Sequence, residues 1–304
     1  RTSVRMTSPT EGTVTVRAII PEGFHHYKRI ENPPSRMDVK KVLFISQEIH
    51  PYVPANAISN LCCELPRGIQ EKGIEVRTFM PRYGIINERR NQLHEVIRLS
   101  GMNIIIDDTD HPLIIKVATL QPTRMQVYFM DNDDYFYRHT GDGLETETHA
   151  SDNDERSMFF VRGSVETVKK LRWDASIVHC TGWITALTPL YLKHKYNEDP
   201  SFRTGKIVVS LLPDAFDGTL DPRFVEKLRM DGFTDEQLSV LGEAPVDYHA
   251  LMRIAIDNAD AVMEVMPGAD SSLVEYAKAS GKPFLSCPSA ENYAGEVAEF
   301  YASL

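Results

Sequence analysis

The residues best placed to do chemistry stand behind two apolar runs. Val42-Leu43-Phe44-Ile45 breaks into Ser46-Gln47-Glu48-Ile49-His50-Pro51-Tyr52, and Ile74 to Met80 breaks into Pro81-Arg82-Tyr83-Gly84. A strand buried on both faces of a parallel sheet reads as such a run, and ligands of open α/β sheets sit in the crevice beyond the carboxyl ends of the strands. The Glu48 carboxylate, the Arg82 guanidinium and the Tyr52 and Tyr83 phenols are therefore candidate ligand contacts. Each also has a purely structural use: Glu48 and Arg82 could pair and fix the two loops, and Tyr83 could pack as cleft wall.

Other reactive-looking groups fail on spacing. His25-His26 is an adjacent pair in a basic segment, a poor metal site. Gly141-Asp142-Gly143 lacks the third glycine and the preceding strand of a dinucleotide turn, and Asp131, Asp133 and Asp134 lack the glycine and distal glutamate of a calcium loop. No Gly-x-Ser-x-Gly, Walker or His-Glu-x-x-His motif is present, and no cofactor is called for. The cysteines, Cys62, Cys63, Cys180 and Cys287, have no Cys-x-x-Cys spacing and read as free thiols of a cytoplasmic protein.

The elements that must position the two loops follow from periodicity. Ile58, Leu61, Cys62, Leu65 and Ile69 recur at helical spacing up to Gly73, so residues 41 to 80 form strand, loop, helix, strand. Short strands over 96–99, 103–106, 113–120 and 126–130 suggest an antiparallel extension, and 131–154 reads as a long acidic mobile loop. Helix and strand then alternate: helix 154–171 with an aspartate cap, strand 176–180, helix 184–196, strand 206–212, helices 223–230, 234–241 and 247–258, strand 261–266, helix 269–280, strand 283–287 and helix 291–303. The expected fold is a single Rossmann-like, doubly wound parallel sheet with helices on both faces and a small antiparallel extension. Residues 1–36, interrupted by Pro33-Pro34 before Met37, read as a disordered or non-native extension, with one domain over 37–304.

The 304 residues carry a net charge of −10, yet residues 1–36 hold six basic against three acidic residues, so the acidity lies in the domain. An acidic body disfavours nucleic acid and anionic membrane, and no apolar run approaches the roughly 20 residues of a membrane helix.

The quoted loops, with Leu65-Pro66, Val127-Tyr128-Phe129-Met130-Asp131-Asn132, Tyr135-Phe136, Arg138, Ile177-Val178-His179-Cys180, Trp183, Thr185-Ala186-Leu187 and Pro189-Leu190-Tyr191-Leu192-Lys193, resemble the N-terminal catalytic domain of bacterial glycogen and starch synthases. The resemblance covers roughly residues 38 to 304. It implies glucosyl transfer from ADP-glucose to an α-1,4-glucan between two Rossmann-like domains, with a nucleotide sugar and a glucan as ligands and a protein partner supplying the second domain. It also implies that the Tyr135–Arg138 segment folds over the sugar cleft and that Trp183 lines it; the alternative for Tyr135 and Phe136 is anchorage in the core.

Several loops depart from the pattern. Where the family has Lys-Thr-Gly-Gly-Leu, the lysine facing the diphosphate, this chain has Val53-Pro54-Ala55-Asn56-Ala57-Ile58. His-Asp-Trp is replaced by Thr181-Gly182-Trp183, and Ile-His-Asn by Leu211-Leu212-Pro213, while the Ser-Pro-Thr-Tyr pattern is half kept near Pro267-Gly268. His179 reads as a core histidine rather than a substitute for the lost one. A second Rossmann-like domain carrying the acidic pair and Arg/Lys clamp is not recognisable. The expectation is a glucosyltransferase-family domain with reduced or no autonomous activity; the alternative is a non-catalytic binding or regulatory protein on the same fold.

Overall fold

The computed structural model describes residues 37–137 and 150–304. The chain opens with β1 (Lys41–Ser46), α1 (Ala57–Glu71) and β2 (Glu75–Pro81). β1 lies between two parallel neighbours, β2 and β7 (Ile177–Thr181), and its residues from Val42 to Ser46 are all buried, which accounts for the unbroken apolar run. Asn56 caps α1 and Gly73, at φ 84°, ends it.

β3 (His94–Glu95), β4 (Met102–Ile106), β5 (Thr109–Leu120) and β6 (Met125–Asp131) follow. β5 pairs antiparallel with β3, β4 and β6, and β6 rejoins the parallel sheet beside β2. Asp107 and Asp108, both at positive φ, turn the chain between β4 and β5. The expected strand over 96–99 is instead a turn in which the Leu99 and Ser100 amides fold back on the Val96 carbonyl.

Beyond β7 come α3 (Thr188–His194), β8 (Lys206–Leu211), α4 (Phe224–Met230), α5 (Tyr248–Asn258), β9 (Ala261–Glu264), α6 (Ser271–Ala279), β10 (Phe284–Ser286) and α7 (Tyr293–Ala302); α2 (Asn153–Leu171) precedes β7. The sheet order is β10-β9-β8-β7-β1-β2-β6-β5-β3, with β4 on β5. All pairs from β10 across to β6 are parallel. Crossovers run one way from β1 to β2 and the other way from β6 to β7, so right-handed connections place α1 and α2 on opposite faces. α1 packs on α7, so closely that a methyl added at Gly68 would stand 2.5 Å from the Ala294 Cβ.

Two expected helices are shorter than their periodicity suggests. Residues 183–185 form a 3₁₀ turn before α3, and of 234–241 only Ser239–Leu241 closes, again as 3₁₀. Thr234 and Gln237 exchange hydrogen bonds as a capping box, but Gly242, at φ 70°, stops the chain within two turns. α2 starts one residue earlier than expected with Asp152 at its N-cap; Asp154 lies inside the helix, 2.7 Å from Lys227 Nζ. No helix among the described residues is long and apolar enough to cross a membrane.

Candidate functional site

Strand order reverses between β1 and β7, so the crevice of this sheet opens at the ends of these strands and of β8. The groups meeting there come from three connections: Gln47 and Glu48 after β1, Gly182 and Trp183 after β7, and Asp214 after β8.

Their positions are fixed by contacts between loops. The Gln47 amide donates to the Thr181 carbonyl at 2.9 Å, and the Tyr83 hydroxyl donates to the Gln47 carbonyl at 2.8 Å. Gly182 adopts φ 95°, and a Cβ there would lie 2.4 Å from the Gln47 Cβ, so a side chain at 182 is opposed by both backbone and space. Asn56 serves two ends at once: its Oδ1 accepts from the Ser59 amide at 2.7 Å, and its Nδ2 donates to Glu48 Oε1 at 2.7 Å. The helix cap therefore also holds the acid.

Asp214 is the group that the sequence reading missed. Its Oδ2 accepts from the Trp183 backbone amide at 2.8 Å and its Oδ1 from the Tyr248 hydroxyl at 2.9 Å. Burial pushes the carboxyl up to about 6 against the pull of those two donors, and the charge of Glu48 raises it further. The residue as a whole is half-buried. The partners lie 31 and 34 residues away, so no local motif announces them.

The remaining candidates divide. Trp183 is 1% exposed, packs edge-on against Phe216 at 5.1 Å, and its indole N–H finds no acceptor among the described residues. Tyr52 is buried edge-on against Phe129 at 4.8 Å, and burial raises its phenol. Arg82 is buried beyond β2, pairs with Glu88 and lies 4.0 Å from Asp131; Lys116 reaches both acids at 2.7 Å. Burial would raise the Glu88 carboxyl, but Lys116 and Arg82 overcome it and hold it low. Arg82 thus belongs to a network of two cations and two anions at the β2, β5 and β6 ends. Tyr135 is buried, bonded to Glu155 at 2.7 Å and to a His111 ring nitrogen at 2.9 Å. Phe136 packs beside it on Phe159, so both aromatics occupy the core. Arg138 lies outside the described residues. Tyr83 reaches the crevice through the Gln47 carbonyl, Trp183 through the Asp214 carboxylate and Glu48 through Asn56, while Tyr135 and Arg82 belong to separate clusters.

His179 is fully buried with Ser210 on one ring nitrogen and Tyr301 of α7 on the other, and burial holds it down to about 3. It is a core histidine. The loop after β1 presents Val53, 3% exposed, followed by the exposed Pro54 to Ala57. After β8, Leu212 is 1% exposed. Two surface cavities, of about 170 and 530 Å³, lie instead around Lys193 and Asn258, toward the amino ends of β8 and β9. The cavity volumes favour that edge, but the chain reversal and the inter-loop contacts mark the carboxyl edge, and chemistry of this fold depends on the latter.

Comparison with known proteins agrees with the architecture. A family model of the starch synthase catalytic domain matches residues 41–280, and the chain belongs to that family. The glycogen synthase of Chlorobium chlorochromatii is 38% identical over 172 residues, covering 56% of this chain and 35% of the relative. That of Chlorobium phaeovibrioides is 33% identical over 231 residues, 75% of this chain and 46% of the relative, so the chain spans less than half the length of these relatives. Among solved structures, the catalytic domain of starch synthase IV from Arabidopsis thaliana, bound to ADP and acarbose, matches with a TM-score of 0.63 at 18% identity, over 82% of this chain and 51% of that one. At that identity the likeness speaks for the fold.

Proposed function

We propose that this chain is a carbohydrate-binding member of the glycogen and starch synthase group, taking a glucan or nucleotide sugar at the β1/β7/β8 crevice without autonomous glucosyl transfer from ADP-glucose. The observation that carries this reading is the loop after β1. Where the family resemblance calls for a lysine and glycines, Val53 is packed into the core and Asn56 is committed to the cap and to Glu48. Loss of a nucleoside diphosphate requires donors and cations aimed at the developing charge, a contribution commonly worth about 3 kcal/mol per donor. Among the described residues, the carboxylate of Asp214 after β8 supplies the opposite sign. Cations for such a step would have to come from outside the crevice, as from a second Rossmann-like domain, in which case transfer appears only when that domain is present.

The test is to incubate the purified chain with maltohexaose and either ADP-glucose or UDP-glucose, following chain length, and to record the melting temperature with each ligand. The expected result is a rise in melting temperature without elongation. Elongation by the chain alone, abolished in Glu48→Gln, would refute the reading.

A further inference from the structure

We propose that Asp214 is the ligand-binding carboxylate of this crevice, accepting hydrogen bonds from the hydroxyls of a neutral sugar and setting a preference for uncharged glucan over the anionic nucleotide sugar. This rests on the reading of the crevice as a carbohydrate site and specifies what it selects.

Four observations support it. Asp214 stands three residues beyond β8, bridging the β7 connection and α5 through the Trp183 amide and the Tyr248 hydroxyl. An ionised carboxylate offers about four acceptor positions, and the Trp183 amide, the Tyr248 hydroxyl and the backbone amide of Asp214 itself occupy three of them, so the carboxylate can still take a hydroxyl. Position 182, where the family resemblance expects an aspartate, cannot hold one here: φ is 95° and the Gln47 side chain fills the space a Cβ would need. Finally, the acid is retained at a cost, since its donors are all neutral and burial works against its charge. An ionisable group kept under such strain in a crevice is a functional candidate.

Among the described residues, the titratable groups facing Asp214 are Glu48 from the β1 connection, Cys62 from α1 and Tyr248 from α5. Burial raises the Cys62 thiol and the Tyr248 phenol, keeping both neutral, so neither offsets the negative charge. A sugar hydroxyl donates to such a group; a diphosphate is repelled by it.

The experiment is calorimetric titration of the full chain with maltohexaose, ADP-glucose and ADP at pH 7.5 and pH 5.0, in the wild type and in Asp214→Asn. With the acid at about 6, maltohexaose affinity should fall about tenfold on acidification. Asp214→Asn should bind maltohexaose about tenfold more weakly at pH 7.5 and lose the pH dependence. Both nucleotides should bind the wild type more weakly than maltohexaose. Tyr248→Phe, which removes one donor, should move the midpoint of the pH profile upward, a test that holds even if Asp214→Asn folds poorly. A pH-independent wild type, an unchanged midpoint in Tyr248→Phe, an Asp214→Asn variant with wild-type affinity, or tighter binding of ADP-glucose would each overturn the inference while leaving carbohydrate binding intact. A wild type that binds none of the three ligands would overturn both readings.

Discussion

Two clusters of buried charge stand at the carboxyl edge of the same sheet and are built on opposite plans. Beyond β2, β5 and β6, the cations Arg82 and Lys116 face the anions Glu88 and Asp131. Beyond β8, the Asp214 carboxylate is held by a backbone amide and a phenol. The first arrangement balances cations with anions and reads as wall; the second leaves an acid with neutral donors alone, which a hydroxyl of the proposed sugar ligand completes. Compensation of charge, more than burial or proximity to the crevice, separates scaffold from site.

The contrast is most open to attack in the paired cluster. Lys116→Met should lower stability by about 3–4 kcal/mol, because two carboxylates would then share one buried guanidinium; denaturant unfolding measures it, and a loss below about 1 kcal/mol would remove the network's structural role. Gly182→Ala comes next, at about 2–3 kcal/mol, from the unfavourable φ together with the Gln47 contact. Adding Gln47→Gly should recover part of that loss by freeing space, and no recovery would mean that backbone strain alone is responsible.

The acid itself predicts a pH trend. Asp214 has a folded value of about 6 against 3.8 for the free group, so the native state binds the proton more tightly and the stability this gives at low pH is lost as pH rises through 6. Relative to Asp214→Asn, the wild type should therefore weaken by about 2–3 kcal/mol between pH 4 and pH 7, a ceiling because the residue is only half-buried. Urea midpoints of the two proteins across that range supply the measurement.

His179 should tilt the other way and slightly less. Its native value near 3 lies below the usual 6.5, so only the unfolded chain gains a proton below pH 6.5. The wild type should lose about 2 kcal/mol relative to His179→Gln between pH 7 and pH 5, and parallel curves for the two proteins would place the imidazole in a wetter setting than Ser210 and Tyr301 define.

Legibility from sequence tracked the range of the interactions. The β1-α1-β2 unit could be read because its signals are local: an apolar run, a helical repeat and a closing glycine. The parallel strands were legible for the same reason. Helices at 184–196 and 234–241 were overread because periodicity does not reveal that a 3₁₀ turn must bring Trp183 onto Asp214, or that a capping box can close a single turn. The position of Glu48 beyond the end of β1 could be anticipated from strand-end topology. Asp214 could not, since its neighbours are leucine, proline and alanine and its partners lie on other elements. The partners of Arg82 were not legible, because Glu88 and Asp131 join it only through sheet pairing and loop closure.

The amide of Met37 donates to the carbonyl of Ala302 at 2.8 Å. The start of the described domain therefore lies beside the end of α7, two residues from Leu304, and a circularly permuted chain follows from that geometry. Joining residue 304 to residue 37 through a short glycine-serine bridge and opening the exposed hairpin at 121–124 would reorder the polypeptide while every strand of the crevice kept its place.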